Sequence, residues 1–191
     1  MTMDYEKLIP VISITLLYGA RLKEISTRRD IIKGQVHEKT TLRMFMVSGL
    51  ILTFGGCTEY WWWGSGVNYW TLAAGWIISL AAFAIRRQAI AALGKFWSLH
   101  VEIRAEHQFV QSGPFRWVRH PAYFSMILEL LGGGLVLQSW WSLALAYVWF
   151  FPVLSRRVRL EEEALIAKFG PAYEEYRAKV PAFLPWKGRC L

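Results

Sequence analysis

Residues 113–124 read "GPFRWVRHPAYF", and residues 125–137 follow at once as "SMILELLGGGLVL". The first stretch sets Arg116, Arg119 and His120 among four aromatics, and the second is an apolar run interrupted by one carboxylate, Glu129. A cationic, aromatic-rich turn opening onto an apolar segment is the pattern of a chain entering a lipid bilayer. Arginines alone would be read as anchors. Anchoring leaves His120, Pro121 and Tyr123 in the same turn unexplained, so the stretch is read both as the mouth of a span and as one wall of a site.

The rest of the composition agrees with a membrane setting. Of 191 residues, 54% are hydrophobic and eleven are Trp. A soluble domain of this size has difficulty hiding so much apolar surface. The formal charge of +8 does not point to nucleic acid, because the basic residues are interleaved with apolar spans rather than gathered on one face. Cys57 and Cys190 are too far apart for metal or redox spacing, so no metal site is expected. The ending "GRCL" is not a prenylation signal, which needs Cys fourth from the end. The first apolar stretch lacks a basic leader and a small-residue cleavage site, so it does not read as a cleavable signal.

Apolar stretches fall at about 6–22, 44–63, 68–85, 122–137 and 140–154. A perpendicular helix needs roughly 20 residues to cross the hydrocarbon core. The last two stretches are shorter and separated by Gln138 and Ser139, which predicts a tight helical hairpin; a single long kinked helix through Gly132, Gly133 and Gly134 is the alternative. Lys and Arg number seven in 21–43, six in 86–119 and eight from Arg156 onward, leaving Lys7 alone elsewhere. Five crossings put 21 of the 22 basic residues on one side, as the positive-inside rule expects. The N-terminus is then outside, and the C-terminus and polar loops are cytosolic. The run "EYWWWGSGVNYW" (59–70) reads as an outer aromatic belt. Glu59, near the outer end of its span, reads as reaching to the interface. Glu129, mid-span, is either a packing group or part of a substrate lining, since charge within lipid is costly.

Two cytosolic segments look organised. In 94–121, "GKFWSLHVEIRAEHQFVQSGPFRWVRHP", the alternation of Leu99, Val101 and Ile103 suits a short extended piece. "SGP" (112–114) is turn chemistry, and Pro121 suits the first turn of a helix, where its missing N–H costs nothing. The stretch 155–178 predicts a helical prolongation of the last span, ended or bent at Gly170 and Pro171 and resumed by "AYEEYRAKV". Arg157 and Glu161 stand four apart and share a face, as do Arg159 and Glu163. Such pairs are commonly surface ion pairs of small worth. Arg157, about one turn beyond the lipid, faces whatever "RHPAY" builds.

A ligand carrying an ammonium, a carboxylate, an adenine and a sulfonium would suit these groups. Glu161 could pair with the ammonium, His107 or His120 could donate to a carboxylate or ribose, and Phe115, Trp117 and Tyr123 could pack the adenine. That is the inventory of S-adenosylmethionine, although by itself it does not single out that cofactor. No Gly-rich fingerprint of a soluble dinucleotide or methyl-donor fold is present, and "GGG" at 132–134 suits close helix packing.

"SGPFRWVRHPAYF", followed about forty residues later by "RRVRLEEEALIAKFGPAYEEYRAKVPAFLPW", resembles the isoprenylcysteine carboxyl methyltransferase family of integral-membrane methyltransferases. The likeness covers roughly residues 94–186. Membrane phospholipid methyltransferases and some sterol reductases carry segments related to RHPxY alone. The resemblance implies that His107, Gln108, Phe109 and Val110, then Phe115, then His120, Pro121, Ala122 and Tyr123 line an S-adenosylmethionine site. It implies that Glu161 binds the cofactor and that Arg157 is the catalytic group holding the substrate carboxylate. Phe115 stands where the eukaryotic enzymes have Tyr. The Gln they have near His100 or Val101 is missing here, with His100 nearest to its place. The N-terminal half is shorter than theirs.

The expectation is therefore an all-α integral membrane protein of about five transmembrane helices, the last two a helical hairpin. Its cytosolic cofactor pocket is formed by the 94–121 segment and the C-terminal helix extension. Residues 1–93 carry spans one to three and 94–191 the methyltransferase core. The expected acceptor is lipophilic or lipidated, drawn from the membrane, with Glu129 and Gly132–Gly134 as possible lining; nucleic acid is not expected. Carboxyl methylation is the leading chemistry. Phospholipid N-methylation, an NADPH-dependent membrane reductase and a non-catalytic membrane scaffold are the alternatives.

Overall fold

The structure, a computed structural model, describes residues 5–27, 35–38, 40–64, 66–97, 101–103 and 110–183. A 3-10 turn, Tyr5–Lys7, leads into α1 (Leu8–Ser26), and β1 (Gln35–Glu38) precedes α2 (Thr40–Leu50). A π-helical turn, Ile51–Gly55, joins α2 to α3 (Gly56–Trp63), so that 40–63 is one continuous rod. Then come α4 (Tyr69–Leu93), a 3-10 turn Gly94–Phe96, β2 (Val101–Ile103) and a second 3-10 turn Gly113–Arg116. The chain closes with α5 (Pro121–Leu137), α6 (Trp140–Phe169) and α7 (Pro171–Lys179).

Each predicted apolar stretch lies in a helix. Thr40–Trp63 and Tyr69–Phe96 are long and apolar enough to cross a membrane, and Pro121–Leu137 is apolar but shorter. The stretch predicted to end at residue 85 continues as α4 to Leu93. Arg86 does not stop it because its charge is met inside the bundle: Arg86 is 2% exposed, and its Nε and Nη1 each lie 2.7 Å from a carboxylate, Glu24 and Glu129. The hairpin forms as two helices rather than one kinked rod. Gln138 takes the left-handed conformation at φ 52, and its N–H donates to the Gly134 and Leu135 carbonyls.

The all-α bundle carries one short ribbon. Residues 35–38 and 101–103 form a two-stranded antiparallel ribbon, pairing Gln35 with Ile103, Val36 with Glu102 and Glu38 with Val101. The alternation through 101–103 supplies the extended piece on one side. The ribbon ties the segment before α2 to the segment after α4.

Small residues set the packing. A Cβ on Gly75 would come within 2.7 Å of the Gly132 carbonyl and of Val136, and one on Gly132 within 2.3 Å of the Ser79 hydroxyl. Backbones that approach so closely leave no room for a side chain, the usual device for packing helices without a hydrophobic driving force between them. A core of Phe45, Leu52, Leu130, Leu143, Ala146, Phe150, Val153 and Leu154 fills the space between α2, the π turn, α5 and α6. Around it, Ile12, Leu16, Met46, Leu50, Phe54, Ile77, Leu80, Leu145 and Val148 point outward and are exposed. So large an apolar exterior suits lipid. At one end of the bundle Trp61, Trp62, Trp63, Tyr69, Trp70, Trp140 and Trp141 are all exposed, as in an interfacial aromatic belt.

That end is also held by caps. Asn68 Oδ1 accepts from the Trp70 and Thr71 N–H groups at 3.0 and 3.3 Å, starting α4. Glu59 accepts from the Trp141 and Ser142 N–H groups at 3.1 and 2.8 Å. It therefore caps α6 from a neighbouring helix, which the reading of Glu59 as a group reaching for the interface did not include.

Candidate active site

The opposite end of α5 begins at His120, with Pro121 at the first helical position as its chemistry predicts. One turn in, Tyr123 faces α6 where that helix runs past Leu154 into charged sequence. The Arg157 Nε–H donates to the Tyr123 hydroxyl oxygen at 2.8 Å, and the Tyr123 hydroxyl donates to Glu161 Oε2 at 2.6 Å. The i,i+4 spacing puts Arg157 and Glu161 on one face, and a single phenol links them. Arg157 Nη1 also donates to Thr41 Oγ1 on α2 at 2.9 Å. Its guanidinium carbon lies 5.6 Å from the Phe45 ring centroid and 5.7 Å from that of Tyr123, while the two centroids are 6.3 Å apart. These three distances make a nearly equilateral triangle, so both rings flank the guanidinium from one side. Arg157 is buried, at 4% exposure, whereas Glu161 is half-buried. Among the described residues no cationic side chain forms an ion pair with Glu161.

The next carboxylate along the chain has the opposite fate. Glu162 faces inward and is met by two guanidiniums, Arg119 at 2.8 Å and Arg177 at 3.2 Å, and by the His120 ring at Nε2, 3.1 Å away. Burial would raise its pKa. The His120 hydrogen bond and the Arg119 guanidinium outweigh burial and hold the carboxyl at about 2. An ionised carboxylate only accepts, so His120 Nε2 carries the proton and spends it on Glu162. His120 Nε2 is thereby committed to Glu162, and the ring is stacked on Tyr123 at 5.6 Å.

The chain after α7 straps this mouth. Arg119 N–H donates to the Pro181 carbonyl at 2.9 Å and His120 N–H to that of Ala182 at 3.1 Å. Arg119 Nη1 reaches the carbonyls of Arg177 and Val180. The Tyr176 hydroxyl donates to the Phe115 carbonyl at 2.7 Å. Burial pushes the Tyr176 phenol well above its ordinary pKa; burial and the charges of Glu162 and Glu161 do the same to Tyr173. The bend that aims α7 back is at Gly170, whose φ of 53 with ψ −132 is open to glycine and strained for other residues.

Of the residues singled out in the sequence, Arg157, Tyr123, Glu161, His120, Pro121 and Ala122 meet at this mouth, with buried Phe115 beneath the α7 strap. Val110 lines an open cavity of about 730 Å³ between Ala92–Phe96 and Val110–Ser112, with Arg116 on its rim. His100, His107, Gln108 and Phe109 lie outside the described residues. Glu129 belongs to a different network: Arg86 holds it at 2.7 Å, with Arg21 Nε at 3.6 Å. Gly133 faces Leu52 and Ile14, and Gly134 faces Leu143, so the glycines mediate packing rather than line a groove. Thr41, Phe45 and Arg119 were missed as members of the site. Thr41 and Phe45 carry no motif; Glu162 sits in the "EEE" run, where the sequence does not say which carboxylate turns inward.

Three comparisons bear on this arrangement. The model of the isoprenylcysteine carboxyl methyltransferase (ICMT) family matches residues 75–167. A protein-S-isoprenylcysteine O-methyltransferase of Schizosaccharomyces pombe is 35% identical over 80 residues, covering 42% of this chain and 34% of that one. A cobalt-zinc-cadmium resistance protein, CzcN of Cupriavidus metallidurans, is 34% identical over 101 residues, covering 51% of this chain and 45% of its own. The chain thus spans between a third and half of the length of these curated relatives. The solved structure of the eukaryotic intramembrane Ras methyltransferase ICMT superposes with a TM-score of 0.70, over 96% of this chain and 71% of that one, at 20% identity. The fold is shared.

Proposed function

We propose that this chain, a member of the isoprenylcysteine carboxyl methyltransferase family through its residues 75–167, is an integral membrane enzyme that moves a methyl group from S-adenosylmethionine to the carboxylate of a lipophilic acceptor. The observation that carries the reading is the chain Arg157–Tyr123–Glu161. It sets a buried cation and a half-buried carboxylate on either side of one phenol, and among the described residues the carboxylate has no ion-pair partner.

The donor set fits the cofactor. Glu161 accepts one bond from a neutral hydroxyl and keeps its charge for an ammonium. Val110, Phe115, Pro121, Ala122 and Tyr123, with His100, His107, Gln108 and Phe109, would make up the remaining lining. S-adenosylmethionine, when bound, supplies an electrophilic methyl on its sulfonium. The protein's part is to bind, align and dry the acceptor. A carboxylate is already anionic at neutral pH, so no general base is needed, and a guanidinium can hold it while a lone pair stays available for in-line attack. An amine acceptor must shed a proton. Glu162, held at about 2, is too weak a base for that.

The same reading puts the site at the cytosolic face. Five crossings, with the N-terminus outside, collect the basic loops on that side, and the exposed tryptophans form the outer belt. The acceptor is then an isoprenylcysteine-like carboxylate arriving from the bilayer.

The test is calorimetric titration of the detergent-purified protein with S-adenosylhomocysteine, followed by methylation of an S-farnesylcysteine analogue. Wild type should bind and turn over. Glu161→Gln should weaken binding at least tenfold, the order of a lost charge-assisted contact. Arg157→Lys keeps the charge but loses the planar fork; it should bind the cofactor product as wild type does and lose most turnover. A folded wild type that ignores S-adenosylhomocysteine would overturn the proposal.

A further inference from the structure

We infer that Thr41, outside the family-matched segment, is a positioning residue for Arg157 and thereby sets the enzyme's affinity for the acceptor carboxylate. The inference rests on the reading of Arg157 as the group that holds that carboxylate.

Three observations carry it. Thr41 is 1% exposed, and its hydroxyl oxygen accepts from Arg157 Nη1 at 2.9 Å. A guanidinium hydrogen-bonded at Nε by Tyr123 and at Nη1 by Thr41 is fixed against rotation about its own axis. Those two bonds constrain its plane, and so the direction in which it offers a fork to a carboxylate. A hydroxyl does this without adding negative charge of its own. Secondly, Phe45 lies one turn beyond Thr41 on the same face of α2, and its ring supports the guanidinium from the side shared with Tyr123. Thirdly, α2 itself is registered to the rest of the site. The β1–β2 ribbon ends at Glu38, two residues before Thr40, and ties that entry to residues 101–103. The N-terminal part of the chain thus supplies one wall of a site whose motifs all lie in the C-terminal part.

The alternative is that Thr41 only stabilises the first turn of α2. The two differ in what a variant changes. Thr41→Val keeps the shape and removes the acceptor, Thr41→Ala removes it with a smaller side chain, and Thr41→Ser keeps the hydroxyl. We expect Thr41→Val and Thr41→Ala to raise the KM for S-farnesylcysteine about ten- to a hundredfold, the usual worth of one bond to a charged group. The affinity for S-adenosylhomocysteine should stay within twofold of wild type, and Thr41→Ser should restore the KM. A folding role alone would instead lower the melting temperature and change both ligands together. Should the valine variant not fold, the alanine and serine pair decides. If wild type methylates and the hydroxyl-free variants keep its KM, the inference falls alone; if wild type binds S-adenosylhomocysteine but methylates no carboxylate, the reading of Arg157 falls and takes this one with it.

Discussion

Two arginines are almost equally buried, Arg86 at 2% and Arg157 at 4% exposure, and they are held in opposite ways. Arg86 Nε and Nη1 end on carboxylates of α1 and α5, each at 2.7 Å, and Arg21 joins the same group by pairing with Glu24 at 2.7 Å. Two cations and two anions from three helices close on one another. The described hydrogen bonds of Arg157 Nε and Nη1 end on hydroxyls, and the carboxylate in its chain of contacts, Glu161, is one phenol away and half-buried. The first arrangement neutralises its charge within the fold, and such a group braces. The second orients the guanidinium through hydroxyls, and under the proposed function such a group binds. Burial alone would not have told them apart; the identity of the acceptors does.

The largest expected effect breaks the brace. Removing one member of a buried ion group leaves the others uncompensated, typically at about 3–5 kcal/mol. Arg86→Met should therefore lower the melting temperature in detergent by many degrees or prevent folding. Arg86→Met with Glu129→Gln leaves Arg21 and Glu24 still paired, and should recover most of the loss. Neither should alter S-adenosylhomocysteine affinity in the protein that folds. A single variant as stable as wild type would show that Arg86 and Arg157 do not differ in the way argued.

This contrast also marks what the sequence made legible. The hairpin, the Gly170–Pro171 bend, Pro121 at a helix start and the shared face of Arg157 and Glu161 were all readable, because each depends on local spacing or on the restricted backbone of Gly and Pro. Glu129 was not readable. A lone carboxylate in an apolar run has the same local signature whether it meets a substrate or an arginine 43 residues away. The ribbon was half readable: alternation marked residues 101–103, but its partner at 35–38 comes from a register that only the fold decides. Thr41 was invisible for the same reason, being brought to Arg157 from 116 residues away.

A smaller effect tests the wall of the site. Glu162 has an ordinary pKa of 4.5 and is held at about 2 in the fold. A depressed carboxylate contributes stability that is complete above its ordinary value and is lost as pH falls through the folded one. Wild type should therefore lose stability between about pH 4.5 and pH 2 beyond what its other carboxylates explain. Glu162→Gln, which cannot titrate, should be less stable at pH 7 by about 1–3 kcal/mol, the cost of buried donors losing a charged acceptor, and flatter across that acid window. Because Arg119 and His120 also fix the strap after α7, its loss should weaken cofactor and acceptor binding together, unlike Thr41→Val. A Glu162→Gln variant with wild-type acid behaviour would remove Glu162 from its place at the centre of that wall.

The smallest effect comes from the far end of the bundle and sharpens the contrast from outside. Glu59 caps α6 from α3 by accepting from the Trp141 and Ser142 N–H groups, and a carboxylate there also complements the positive end of the helix dipole. Replacing a cap residue by Ala costs about 0.5–2 kcal/mol, so Glu59→Ala should lower the melting temperature by a few degrees. Its KM and S-adenosylhomocysteine affinity should match wild type, since the cap acts on the first turn of α6 while Arg157 sits more than four turns further along the same helix. If Glu59→Ala changed the acceptor KM, strain at one end of α6 would be reaching Arg157 through the helix, and the separation drawn between braced and binding charge would have to give way to a single coupled rod.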